Sequence, residues 1–186
     1  MVIIMARKVI LFIAQSLDGY IARTDGSIDF LEFNRTHDDV DDAYDRLMAG
    51  VDTVVMGRTT YDQVVNELSP DVYPYVDQES YILTTHLDQP AIPQRHFVNM
   101  SVVDLVQQLK NQPGKDIWII GGSSLLAPLI NADLIDSYQI TIVPVLIDSG
   151  IPLFTGAIDQ HVFQLQSAHK VNNFAYLTYL RTDQHE

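Results

Sequence analysis

Cysteine is absent from this 186-residue chain. That single absence removes disulfides, thiolate nucleophiles, cysteine-ligated zinc and iron–sulfur clusters, and it fits a cytoplasmic protein. Positive charge is scarce: 11 Lys and Arg stand against 24 Asp and Glu, a formal net charge of −13. Nucleic acid and anionic membrane surfaces both call for clustered cations, so neither is expected as a partner. A small anionic ligand stays open, because it needs only a few local donors. Long apolar runs are missing too. The opening MVIIMARKVILFIA is interrupted by Arg7 and Lys8, the wrong order for a secretory signal, and no segment reaches the ~20 apolar residues of a membrane-spanning helix. What remains, 47% hydrophobic and 19% charged residues, suits one globular domain with a substantial core.

Several catalytic signatures are also lacking. No G-x-G-x-x-G follows the first apolar run, and Gly57-Arg58-Thr59-Thr60 lacks the Lys of a phosphate-binding Walker loop. Gly121-Gly122-Ser123 opens like a nucleophile elbow, but Leu125 stands where its closing glycine belongs. The six histidines (His37, His86, His96, His161, His169 and His185) show no metal-ligand spacing, and no metal is expected.

The pattern that is present alternates strands with helices. Strands are predicted over residues 9–14, 51–56, 80–85, 96–98 and 116–120, where β-branched and aromatic residues cluster. Helices are predicted over 38–48, 58–68, from Ser101 to about 108–112, and over 123–132. Ser101 and Asp104 form a capping box with Asp in place of Glu, and the acids of 38–45 suit a helix N-terminus. From 137 to 147 the pattern returns to strand. Residues 161–170 and 174–181 then form two long strands around Val171-Asn172-Asn173, a closing hairpin. The expected architecture is a single three-layer α/β domain with its core over about 9–181: a mostly parallel central sheet, helices on both faces, and an antiparallel C-terminal hairpin.

In such a sheet, ligands bind beyond the carboxyl ends of the strands, where helix starts offer free N–H groups to phosphates. Three glycine-bearing segments fall there: Leu17-Asp18-Gly19-Tyr20-Ile21, Gly57-Arg58-Thr59-Thr60 and Gly121-Gly122-Ser123-Ser124. Each alone reads more readily as a strand terminator followed by a hydroxyl cap. Two strand-to-helix glycine turns in one small domain, one of them carrying an Arg, bring the phosphate reading level with that plainer one.

Taken in order, Ala14-Gln15-Ser16-Leu17-Asp18-Gly19-Tyr20-Ile21-Ala22, Val54-Val55-Met56-Gly57-Arg58-Thr59-Thr60-Tyr61, Ile119-Ile120-Gly121-Gly122-Ser123-Ser124-Leu125 and Gly150-Ile151-Pro152-Leu153-Phe154 resemble the dihydrofolate reductase-like superfamily. The match is to the branch of the reductase domain of the riboflavin-biosynthesis deaminase/reductase and its stand-alone relatives, over about residues 9–180. The resemblance implies NADPH as cofactor. Ala14 and Ile21 would border the nicotinamide, under a lid loop that includes Ser16, Gly19 and Tyr20. Gly57, Arg58, Thr59 and Thr60 would meet the pyrophosphate, with Arg58 towards the 2′-phosphate. Leu83, Thr84 and Thr85 would hold the adenosine part. Ile120, Gly121, Gly122, Ser123, Ser124 and Leu125 would close the other side, with a cis peptide at the glycine pair.

For the substrate half, the resemblance points to Phe30, Leu31, Tyr61 and Val64, Phe30 by stacking on a planar ring. A pocket carboxylate is expected at the helix after the lid, where Asp29, Asp38, Asp39, Asp41 and Asp42 all stand; Asp29 lies nearest the pocket mouth. Thr141 matches a position that supports that carboxylate, or is an ordinary strand residue. The implied activity is hydride transfer to a C=N or C=O group of a small planar or sugar-bearing substrate, riboflavin-pathway-like or folate-like. No zinc-ligating deaminase part is visible. The contrasting possibility is a nucleotide-binding or regulatory module that keeps the fold without turnover. Relatives in this branch are often dimers, so a homodimer is expected.

Overall fold

The computed structural model describes residues 6–32 and 42–182. The apolar run after Lys8 forms β1 (Val9–Ser16), and the chain then makes a short strand, β2 (Tyr20–Ala22), and a 3-10 turn, Asp29–Glu32. Next come α1 (Ala43–Gly50), β3 (Val51–Gly57) and α2 (Arg58–Gln63), the last running on through a π-helical turn, Val64–Leu68. β4 (Glu79–Leu83), β5 (Arg95–Val98), α3 (Val102–Lys110) and β6 (Asp116–Gly121) follow. A 3-10 turn, Ser123–Leu125, leads into α4 (Leu126–Asn131), and the chain ends with β7 (Ser137–Val143), β8 (Ile151–Pro152), β9 (Phe163–Val171) and β10 (Phe174–Arg181).

Eight strands make one sheet in the order β5-β4-β3-β6-β1-β7-β10-β9, while β2 and β8 pair separately. The pairs from β5 through β7 are parallel, and β10 and β9 add the expected antiparallel hairpin. Alternation along the strands sends side chains to two faces. Val9 and Leu11 of β1 join Leu105, Val106 and Leu109 of α3 and Leu126, Leu129 and Ile130 of α4 in the larger core. Ile10, Val54, Met56 and Trp118 meet Leu47 of α1 and Tyr61 of α2 on the opposite face. A third, smaller cluster of Phe30, Val143 and Phe174 lies beneath the 3-10 turn.

The differences from expectation have local causes. The predicted strand 137–147 stops at Val143 because Pro144 has no N–H to carry on the ladder. Strand β4 ends at Leu83, so Thr84 and Thr85 lie beyond it. The helix predicted to end at 48 runs on to Gly50, where Val51 is already extended (φ −113°, ψ 146°) and enters β3 directly. The predicted start of that helix, with Asp38, Asp39 and Asp41, lies outside the described residues.

The amino edge of the sheet is stapled by charge. Arg7, only 4% exposed, donates to Asp52, to Thr53 Oγ1 (2.5 Å) and to the Lys115 and Leu109 carbonyls (2.5 and 3.2 Å). Asp136 accepts the Val9 N–H and the Lys110 ammonium, both at 2.8 Å. Structural ion pairs thus hold that edge, and it is the opposite, carboxyl edge at which open α/β sheets bind ligands.

Candidate active site

The site follows from the strand order. The connection leaving β3 runs outward to β4, whereas the one leaving β6 crosses β1 to reach β7. Two neighbouring strands whose connections depart in opposite senses leave a crevice at their carboxyl ends, the topological switch point of an open α/β sheet. Both strands end in glycine. A Cβ on Gly57 would have only the Gly122 nitrogen within 4 Å, at 3.8 Å, and one on Gly122 would have only Thr60 Oγ1, at 3.7 Å. Gly121 (φ +133°) would have nothing within 4 Å, and its peptide to Gly122 is cis. The two turns therefore lie side by side with bare backbone, which a phosphate can approach closely from beyond the strand ends.

Around this crevice stand most of the expected cofactor residues. Thr59 and Ser124 are exposed, Thr60 is half-buried and Ser123 is buried. Arg58 opens α2, and its Nε donates to both oxygens of Asp62 (2.8 and 2.9 Å). Its Cζ lies 6.0 Å and 5.8 Å from the Tyr61 and Phe97 ring centroids. The pairing occupies one of the five guanidinium N–H groups, so both terminal amino groups are left over for an anion. Thr84 Oγ1 accepts the His86 N–H (3.1 Å), and Thr85 is exposed just beyond β4. Leu83 and Leu125 pack against the larger core and Ile120 against the second.

The loop at the end of β1 is held by hydrogen-bond partners that sequence reasoning did not foresee. Ser16 is fully buried: its hydroxyl donates to Asp18 (2.5 Å) and accepts from the Tyr20 N–H (3.0 Å). The Asp18 carboxyl lies below the ordinary carboxylate range, chiefly because of that Ser16 hydroxyl and then the backbone N–H groups of Asp148 and Ile147. Tyr20 pairs with Pro152 across β2 and β8, and Ile21 packs on the larger core. Gly150 has to be glycine, since a Cβ there would run into the Ala22 carbonyl oxygen.

The substrate half is arranged differently from expectation. Phe30 is 3% exposed, packed with Val143 and Phe174, and so supports the loop instead of offering a stacking face. Tyr61 and Val64 are buried members of the second core, and the Tyr61 hydroxyl accepts from Arg95 (2.9 Å). Leu31 is partly buried against the third cluster. Asp29 is exposed and bonded by Arg23 (2.6 and 3.2 Å), which holds its carboxyl below the usual range, so it serves as half of a surface ion pair. Asp42 precedes α1 and pairs with Arg46 on its surface.

Thr141, by contrast, sits at the centre of a lateral row. Ala14 pairs with Thr141, Thr141 with Tyr176, and Tyr176 with His169, so all four project from one face of the sheet. The Tyr176 and His169 rings stack at 5.2 Å. This puts hydroxyl groups beside the expected nicotinamide border. Among the described residues, no group of three His, Asp or Glu side chains could hold a metal, and no helix is long and apolar enough to cross a membrane.

Comparison with known proteins agrees with this architecture. The family profile described as the RibD C-terminal domain matches residues 7–174. YwjB, an uncharacterized protein of Bacillus subtilis (strain 168), is 37% identical over 177 residues, covering 95% of this chain and 99% of its own. A crystal structure from Shewanella sp. PV-4, of a protein provisionally named for riboflavin biosynthesis, superposes with a TM-score of 0.81 at 32% identity, covering 96% of this chain and 100% of that one. Dihydrofolate reductase from Enterococcus faecalis, solved with NADP(H), shares the fold at a TM-score of 0.67 and 18% identity, covering 95% of this chain and 97% of that one. The fold is dihydrofolate reductase-like, and the chain belongs to the RibD C-terminal domain family.

Proposed function

We propose that this protein is an NADPH-dependent reductase that delivers hydride to a C=N or C=O group of a small planar or sugar-bearing substrate, riboflavin-pathway-like or folate-like. One observation carries the reading: the bare backbone of the adjoining Gly57 and Gly121-Gly122 turns at the switch point of the sheet. It fits a dinucleotide pyrophosphate, whose oxygens need close backbone approach and N–H donors. Family membership and the NADP(H) held by a structural neighbour point the same way.

The residues divide the work as follows. Gly57, Thr59, Thr60, Gly121, Gly122, Ser123 and Ser124 hold the pyrophosphate. The terminal amino groups of Arg58 engage the 2′-phosphate, with Asp62 fixing the guanidinium plane, and Leu83, Thr84 and Thr85 line the adenosine end. Ala14, Gly19, Tyr20 and Ile21 border the nicotinamide. The cofactor, when bound, supplies the hydride; the protein supplies orientation and water exclusion. Thr141 and Tyr176 form the polar wall on the substrate side, where a hydroxyl or a water it holds hands over the proton. An intracellular location suits an enzyme that draws on the cell's NADPH. A homodimer joined through β9 completes the proposal.

The test is cofactor binding by the wild-type chain and by Arg58→Ala. The substitution should weaken NADPH about 10- to 100-fold, as expected for a lost charge-assisted pair, and leave NADH within about threefold. Equal loss for both cofactors would remove Arg58 from the 2′-phosphate. No NADPH binding by the wild type would end the reductase reading. Tight binding without NADPH oxidation, across dihydrofolate and a broad carbonyl and imine panel, would favour a non-catalytic module.

A further inference from the structure

The loop after β1, expected to act as a lid, is fastened along its whole length. The Leu17 N–H donates to the Val145 carbonyl (2.8 Å), and the Leu153 N–H donates to the Gly19 carbonyl (3.0 Å). Between these two ties, Asp18 reaches across 130 positions of sequence: its Oδ2 accepts the N–H groups of Ile147 (3.1 Å) and Asp148 (2.9 Å). Its Oδ1 takes the Ser16 hydroxyl (2.5 Å), and Ser16 Oγ in turn accepts the Tyr20 N–H (3.0 Å). Beyond Gly19 the loop becomes β2, which pairs with β8 where Gly150 lies against the Ala22 carbonyl oxygen.

We infer that Asp18 is a positioning residue that makes residues 17–22 a fixed wall of the nicotinamide site instead of a lid that swings. The cofactor half of this inference rests on the proposed function. A carboxylate is suited to the task because it accepts three hydrogen bonds at once and donates none. Asparagine would keep one good acceptor and turn an N–H₂ group towards Ser16. Alanine would leave two neighbouring amides and a buried hydroxyl without their partner. A loop ordered by the fold has already given up its conformational freedom, so none of that cost falls on cofactor binding. NADPH then associates in one step, with no closure behind it.

The experiment compares the wild-type chain with Asp18→Ala and Asp18→Asn by two readouts. Amide hydrogen exchange without cofactor should rise about tenfold or more at Tyr20, Ile147 and Asp148 in Asp18→Ala, less in Asp18→Asn, and stay unchanged in β3 and β6. Unchanged exchange at those amides in both variants would overturn the clasp. Stopped-flow binding of NADPH to the wild type should be a single phase whose rate rises linearly with NADPH. Asp18→Ala should add a slow, concentration-independent phase and weaken NADPH about tenfold. A slow isomerisation in the wild type itself would overturn the fixed wall. Exchange that rises while NADPH binding does not change would show that the clasped loop does not act on the cofactor. If the wild type binds no NADPH, the reductase reading fails, and the exchange data still decide whether Asp18 is a clasp. Asp18→Asn, which keeps the side-chain shape, carries the test if the alanine variant does not fold.

Discussion

Asp18 and Asp29 are both exposed aspartates, and partners separate their roles. Asp29 meets a neighbouring cation, Arg23, six residues away, whereas Asp18 is read by a hydroxyl and two distant backbone amides. Both carboxyls are held below the ordinary range. A lowered folded pKa means the charged form is favoured by folding. Its contribution is therefore full above the unfolded value and lost as pH falls through the folded one. Because Asp29 titrates identically in both proteins, the difference in melting temperature between wild type and Asp18→Asn isolates Asp18. That difference should be flat from about pH 5 to 8 and close below about pH 4, where the unperturbed group protonates. Thermal melts across that range check it, and a gap that widens on acidification would reverse the assigned sign.

At the scale of elements, α3 gives the cleanest link from sequence to energy. Ser101 is extended (φ −67°, ψ 146°) and its hydroxyl accepts the Asp104 N–H at 3.1 Å, as its capping-box spacing predicts. Ser101→Ala should cost about 1 kcal/mol in urea unfolding, with the slope of the transition unchanged. Elements of this kind were legible because their signals are local: a cap, a 3.6-residue stripe, a β-branched run. The long sheet strands, the hairpin and the glycine turns of the crevice all belong to this class. Strands β2 and β8 were not legible, since three and two residues carry no periodicity and the pairing joins positions far apart in sequence. Phe30 was misread for a related reason. Its burial comes from Val143 and Phe174, distant residues that composition around position 30 does not announce. The same holds for the partners of Asp18. The Asp62 partner of Arg58 was within reach, because i, i+4 spacing on a helix puts the two side chains together.

At the scale of the whole molecule, the two ends of the sheet are unequal. β5, four residues long, closes one end; β9, nine residues long, closes the other, and its residues 164–170 are all exposed. An exposed strand of that length, with Leu165 on it and Val162 just before it also exposed, is a template for pairing. Light scattering should therefore give twice the 21.0 kDa chain mass, and a monomer mass at micromolar concentration would reject the homodimer. The inequality also governs how association ends. Pairing of β9 with its own copy is isologous, so it consumes the long edge of both partners and leaves one four-residue strand at each extremity. A sheet that joined itself only at this margin would be self-terminating: it would double once and end on a four-residue strand at either side.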